Sequence, residues 1–296
     1  MRFIPVLILA FLVSCSEAPR DFRQFDQNSW SGILAFQNGQ YPGALAHFEI
    51  AMATLPEESP EPYLYAAATA LKLQQEEKAG TILAKALQHT RISRSDFENF
   101  QPLAEFWGTP VMDEFLEAFS IAERNGTLGP ASTPLQREMD SLALIDQNLR
   151  NGFYDPQAMR RIDSTNMVRL AQIVGEIGWQ QKLFPILWNR RQHYGSDHWF
   201  WTSFTPVIEK EIEAGRVRPS FWAQFEDEKL IRTQRQQRYG MYPYNYQQFP
   251  LELPDQVDSL RAAIGLPPLW YMNEVYQAPL PPGYQGTPST SPLITE

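Results

Sequence analysis

Cysteine is nearly missing from this sequence: one occurs in 296 residues, at position 15. A disulfide framework and a cysteine-built zinc site are therefore both excluded. Histidine is scarce, with four copies, and the H-E-x-x-H metal motif does not occur. The glycine patterns that cradle phosphates or dinucleotides are absent, as is the G-x-S-x-G nucleophile elbow. Positive charge is in deficit, since 25 Lys and Arg stand against 34 Asp and Glu for a net charge of −9. That balance argues against a surface built for phosphate backbones, so nucleic acid is not an expected partner. No apolar run reaches the roughly 20 residues that a bilayer-crossing helix requires. No segment alternates apolar and polar residues convincingly as a half-buried strand does.

What is present has globular proportions. Apolar residues make up 43% and charged residues 20%, which excludes wholesale disorder. The length suits two ordinary domains or one elongated one.

The start of the chain reads as an export signal. Met1-Arg2 is positively charged, Phe3 to Val13 is apolar apart from Pro5, and Leu12-Val13-Ser14-Cys15 follows. That last tetrapeptide resembles the bacterial lipobox, in which the cysteine thiol is lipidated and the chain is cut just before it. The resemblance implies a signal peptide over 1–14 and a lipidated Cys15. Each buried methylene of the acyl chains contributes about 0.8 kcal/mol of anchoring. Ser16 after the cysteine implies the outer membrane where a cell has two. Residues 15–27 are polar and read as a tether.

Apolar spacing then becomes helical, and two segments match at an offset of 35. Ala44 pairs with Ala79, Phe48 with Leu83, and Ala51 with Ala86. Paired helices approach closely only where alanine or glycine sits at the crossing, and a larger residue plugs the gap to the next pair. This period resembles the tetratricopeptide repeat and implies a short array over 28–92. Asn28 and Ser31 stand where that repeat has tryptophan and leucine. Residues 93–124 read as a helical cap, with Ser95 expected to cap its first helix and Thr109-Pro110 to open its second. Residues 125–134 read as a linker.

Residues 135–272 read as a second, mainly helical domain. Leu135, Met139, Leu142, Ile145 and Leu149 share one helix face, as do Met167, Leu170, Ala171, Val174 and Ile177. Trp188, Trp199, Trp201 and Trp222 are expected in its core. Residues 273–296 are rich in proline and read as a disordered tail. Within 135–272 an ordered set of residues stands out: Asp146-Gln147, Arg150, Asp163, Asn166, Gly178-Trp179, Gln192-His193, Asp227, Gln237-Arg238-Tyr239-Gly240, Asp258, Arg261 and Gly265-Leu266-Pro267-Pro268. This set resembles the family catalogued as domain of unknown function 6624. Gln180, Glu228 and Met241-Tyr242 depart from its pattern. The resemblance assigns no reaction.

For chemistry, Gln192, His193, Asp227, Arg232, Gln237 and Tyr239 are the candidates for a polar pocket between helices. A histidine held by a carboxylate acts as a general base near neutral pH. His193 and His198, five residues apart, lie about 140° from one another around a helix and do not share a face. No metal and no cofactor is expected, and no nucleophile stands beside a base. The sequence thus reads as an all-α, lipid-anchored envelope protein whose repeats hold a protein partner. The alternative is an envelope hydrolase or small-ligand domain using a His193/Asp227 cleft.

Overall fold

In a computed structural model the described residues are 19–130, 133–151, 156–288 and 293. Cys15 and the whole expected signal peptide lie outside them. The chain is all-α with helical repeats. Among the described residues the sole β-type pairing is an isolated bridge between Gln237 and Leu251.

The front half is built of antiparallel helix pairs. The first pair is α1 (Phe22–Gln37) and α2 (Tyr41–Thr54); the second is α3 (Glu61–Lys72) and α4 (Glu76–His89). The small residues identified above sit at the crossings. Ala44, Phe48, Ala51, Ala67, Ala70, Ala79, Leu83 and Ala86 are all fully buried. A Cβ on Gly32 would come within 2.6 Å of the Phe48 ring, so the first pair closes only because position 32 has no side chain. Phe48 stacks on Tyr65 at 5.4 Å and joins the first pair to the second.

A third unit follows. It comprises α5 (Arg94–Glu98), a 3-10 turn at Gln101–Phe106, and α6 (Pro110–Asn125). The cap of α5 is Ser93 and not Ser95: the Ser93 hydroxyl accepts from the Asp96 amide, and the Asp96 carboxylate accepts from the Ser93 amide. This reciprocal pair satisfies two backbone donors that a helix start otherwise leaves open. Phe97, Leu103, Met112 and Phe119 close the end of the first core.

The expected tether and tail are shorter than their composition suggests. α1 already starts at Phe22, and Phe22 and Phe25 are buried with Ala51 and Leu55. At the other end, the boundary expected at 272 falls inside a helix. Ala278 is buried, and the Tyr284 hydroxyl donates to Asp258 at 2.6 Å and accepts from the Trp270 amide at 2.9 Å. The segment 273–284 is thus fastened to the body at Ala278 and Tyr284.

The second core gathers α7 (Pro134–Asn151), α8 (Pro156–Ile177), the short α9 (Phe184–Trp188), α10 (Trp199–Glu213) and α11 (Ala223–Gln234). Its centre is aromatic: Tyr194 meets Trp201, Trp222 and Phe225 at 5.3–5.4 Å, and Phe221 packs on Trp222 at 4.8 Å and on Phe225 at 6.1 Å. Of the four tryptophans expected inside, Trp199 is the exception, at 46% exposed on the first turn of α10. Then come α12 (Val257–Ala263) and α13 (Leu269–Tyr276).

The back half grips α1 at three places. At its start, the Arg218 guanidinium forks onto Asp26 at 3.0 Å and pairs with Glu58, while the Arg20 amide donates to the Gly215 carbonyl at 2.9 Å. Along its length, Trp30 meets Tyr271 of α13 with ring centres 6.1 Å apart. At its end, the Gln37 side-chain amide donates to the Val275 carbonyl at 3.2 Å.

Candidate functional site

The six residues expected to form a polar pocket fall into two groups. Asp227 and Gln237 are fully buried and hold a loop that includes the half-buried Tyr239. After α11, Arg235 takes a left-handed backbone conformation (φ 61°), and the chain folds back over the helix it has just left. Asp227 Oδ1 then accepts from the amides of Arg238 (2.6 Å) and Tyr239 (2.9 Å), and Oδ2 accepts from that of Met241 (2.9 Å). Gln237 does the complementary work, donating to the Tyr242 and Phe249 carbonyls and accepting from the Tyr242 amide. Arg261 completes the knot by donating to the carbonyls of Pro267 (2.6 Å) and Tyr239 (2.5 Å). Burial pushes the Asp227 carboxyl up, against the pull of the three amides and Arg261.

Gln192, His193 and Arg232 lie on the surface. Arg232 donates to the carbonyls of Gln192 (2.5 Å) and Arg191 (3.1 Å), closing the 3-10 turn at Arg191–His193. His193 contacts the Gln192 side chain at 3.4 Å and stacks on His198 at 5.7 Å. It makes no hydrogen bond to Asp227, whose oxygens are taken by main-chain amides. A base-and-orienter pair is therefore not assembled, and the expected His193/Asp227 cleft is corrected to a buried structural knot beside an exposed histidine. Among the described residues no group of three His, Cys, Asp or Glu side chains is placed to hold a metal ion.

A cavity of about 210 Å³ opens between the start of α1 and the segment 212–219. Arg20, Arg23 and Arg218 line it. Two of these cations are already committed, Arg20 to Glu58 and Arg218 to both Asp26 and Glu58.

A partly exposed aromatic surface lies on the first helices of the pairs. Phe36 of α1, Tyr65 of α3 and Phe100 at the third unit form a ladder, with edge-on contacts at 5.4 and 4.8 Å. Tyr41 meets Phe36 at 5.6 Å. Lys72 lies 6.0 Å from the Tyr41 ring and 5.8 Å from that of Phe106, and pairs with Glu105 at 2.5 Å. All of these rings are half-buried in the front core and half open.

One side of this face is occupied by α13. Tyr271 is fully buried and Val275 packs on the front core. Tyr276 meets Tyr271 edge-on at 6.2 Å. Glu61, the first residue of α3, lies near this contact. Its carboxylate raises Tyr65, Tyr271 and Tyr276, in each case behind the larger effect of burial, which pushes Tyr65 up to about 12. Burial alone raises Glu61 itself. None of Trp30, Phe36, Glu61, Tyr65, Tyr271 or Tyr276 was singled out as a site from the sequence. The available signal was the i, i+4 spacing of Tyr271 and Val275, which puts these two side chains on one helical face just where the proline-rich composition suggested that a tail begins; Tyr276 lies about 140° around from Tyr271.

Neither a family model, nor a curated protein, nor a solved structure matches this chain.

Proposed function

We propose that this is a lipid-anchored envelope protein that holds a protein partner on the aromatic face of its first helices. The observation that carries the reading is the Phe36–Tyr65–Phe100 ladder, half open and bordered by the Lys72–Glu105 pair. Aromatic anchors with a polar border are the usual makings of a protein contact. The tetratricopeptide-like spacing of Ala44/Ala79, Phe48/Leu83 and Ala51/Ala86 supports it, since such arrays present one face to partner segments. The lipobox-like Leu12-Val13-Ser14-Cys15 supports the anchor. On this reading the domain over 135–272 braces the array and delivers α13 to it. Nothing favours the hydrolase alternative, because the Asp227 oxygens are consumed by main-chain amides.

Two measurements test the proposal. Labelled fatty acid should join the chain and be lost in Cys15→Ser. Partner recovery from solubilised membranes should fall at least tenfold in a Phe36→Ala, Lys72→Glu double variant that keeps the wild-type helical spectrum. Unchanged recovery counts against the face, and absence of label counts against the anchor.

A further inference from the structure

From the seating of α13 we infer that it is a resident plug on the first-helix face, and that the partner displacing it presents a short aromatic helix bearing a lysine or arginine for Glu61. The inference rests on reading that face as the partner site, and it adds what the partner must look like.

Three observations carry it. First, the face already accepts a helix. Trp30 receives Tyr271, Gln37 donates to the Val275 carbonyl, and Val275 lies on the front core. The chemistry that fits here is therefore shown by the chain itself: a helix of eight residues whose Tyr271 and, one turn on, Val275 meet the front half.

Second, the resident helix leaves the seat electrostatically incomplete. Glu61 is half-buried at the start of α3, its charge felt by Tyr65, Tyr271 and Tyr276, and among the described residues no cation pairs with it. α13 reads Leu-Trp-Tyr-Met-Asn-Glu-Val-Tyr, with one acidic residue and no basic one. A half-buried carboxylate without a counter-charge disfavours the docked state. Lys72, at the other end of α3, is committed to Glu105. A helix carrying both the rings and a cation satisfies Glu61 as α13 cannot, and so outcompetes it.

Third, the plug ends under local strain. Gln277, which stops α13, adopts the left-handed backbone conformation at φ 55°, a region that disfavours residues with a side chain. Beyond it the Asn273 side chain donates to the Ala278 carbonyl at 2.9 Å and holds the turn. The docked segment is thus a short helix held at its start by Asp258 and Tyr284 and stopped by a strained residue.

The test uses the full chain with Cys15→Ser, so that no other thiol is present. Fluorescent peptides of residues 266–279 are titrated against it, one native and three with lysine at 272, 273 or 274. Tyr271→Ala serves as the opened chain. Gln37→Cys with Val275→Cys, bridged by a short bis-maleimide, serves as the closed one. The opened chain should bind the native peptide, and at least one lysine peptide should bind tenfold tighter or more. That gain should vanish in Glu61→Gln, and the bridged chain should bind none of them. Equal binding by bridged and opened chains overturns the plug, as does no binding to either the opened or the unbridged chain. A lysine gain that survives Glu61→Gln, or no gain at any position, overturns the basic partner. Because the bridge needs no weakened fold, it keeps the test valid where Tyr271→Ala unfolds. Peptide failure with membrane capture still dependent on Phe36 and Lys72 sinks this inference alone. Capture that ignores the face while the peptides compete as described sinks the partner reading alone.

Discussion

Gly32, Asp227 and Glu61 show three ways in which one side chain, or its absence, decides a local outcome. At position 32 a methyl group would sit 2.6 Å from the Phe48 ring. Gly32→Ala should therefore destabilise the chain by about 1–3 kcal/mol, even though alanine favours helices, and urea unfolding reads the loss. Asp227 has the opposite problem, that of too many donors to satisfy. Asp227→Asn turns an amide NH₂ toward an amide N–H and should cost about 1–3 kcal/mol by the same measurement. Glu61 supplies a pH signature. Burial raises its carboxyl above the ordinary value, so the folded state is penalised only once the group ionises. Stability is unpenalised below the ordinary carboxyl range and is lost as pH rises through the raised value. Glu61→Gln stays neutral throughout, so its melting temperature should exceed wild type at neutral pH and match it in acid. Equal differences at both pH values would remove Glu61 as the source. The alanines at the crossings were legible in the sequence because small size is what close approach demands. Asp227 was legible as important but not as structural, since its partners are main-chain amides, which every residue carries and no sequence distinguishes.

Helices differ in how openly they declare themselves. α2, α4 and α6 carry their apolar residues at regular helical spacing and were readable as such. The start of α1 was hidden because Phe22 and Phe25 lie among Arg20, Asp21, Arg23 and Asp26, and the charge count outweighs two rings. In the structure Arg218 lies over the Phe22 ring at 4.6 Å and pairs with Asp26, so the polar character of this stretch serves an internal contact. α13 was obscured by the prolines after it, and the Tyr284–Asp258 bond that packs them joins residues 26 apart. Removing the Tyr271 ring should cost roughly 3 kcal/mol, by analogy with other buried aromatic residues cut to alanine. Hydrogen exchange offers a sharper readout: Tyr271→Ala should deprotect the α13 amides while leaving those of α4 unchanged.

Across the whole molecule the two halves meet through few, specific links, and the Arg218 fork is the most concentrated of them. Arg218→Ala leaves the half-buried Asp26 without its cation and Glu58 with Arg20 alone, and breaking a buried pair costs up to about 3–5 kcal/mol. Arg218→Ala should therefore lower the melting temperature by more than Arg94→Ala, whose ion pairs with Glu98 and Glu123 lie in solvent. A smaller loss for Arg218 than for Arg94 would mean that the halves are joined elsewhere. The all-α class and the helix pairs were legible because period and small-residue spacing are local. The docking of the halves was not, because Arg218 and Asp26 are 192 positions apart and neither belongs to a pattern.

The Arg20–Gly215 bond has a mechanical consequence. Traction applied through the chain ahead of Pro19 meets that hydrogen bond and the neighbouring Arg218 fork before it reaches any turn of α1. Load entering at this end is shared with the segment 215–218 from the opposite half of the polypeptide, so the first helix is sheared against a brace and is not peeled from its tip.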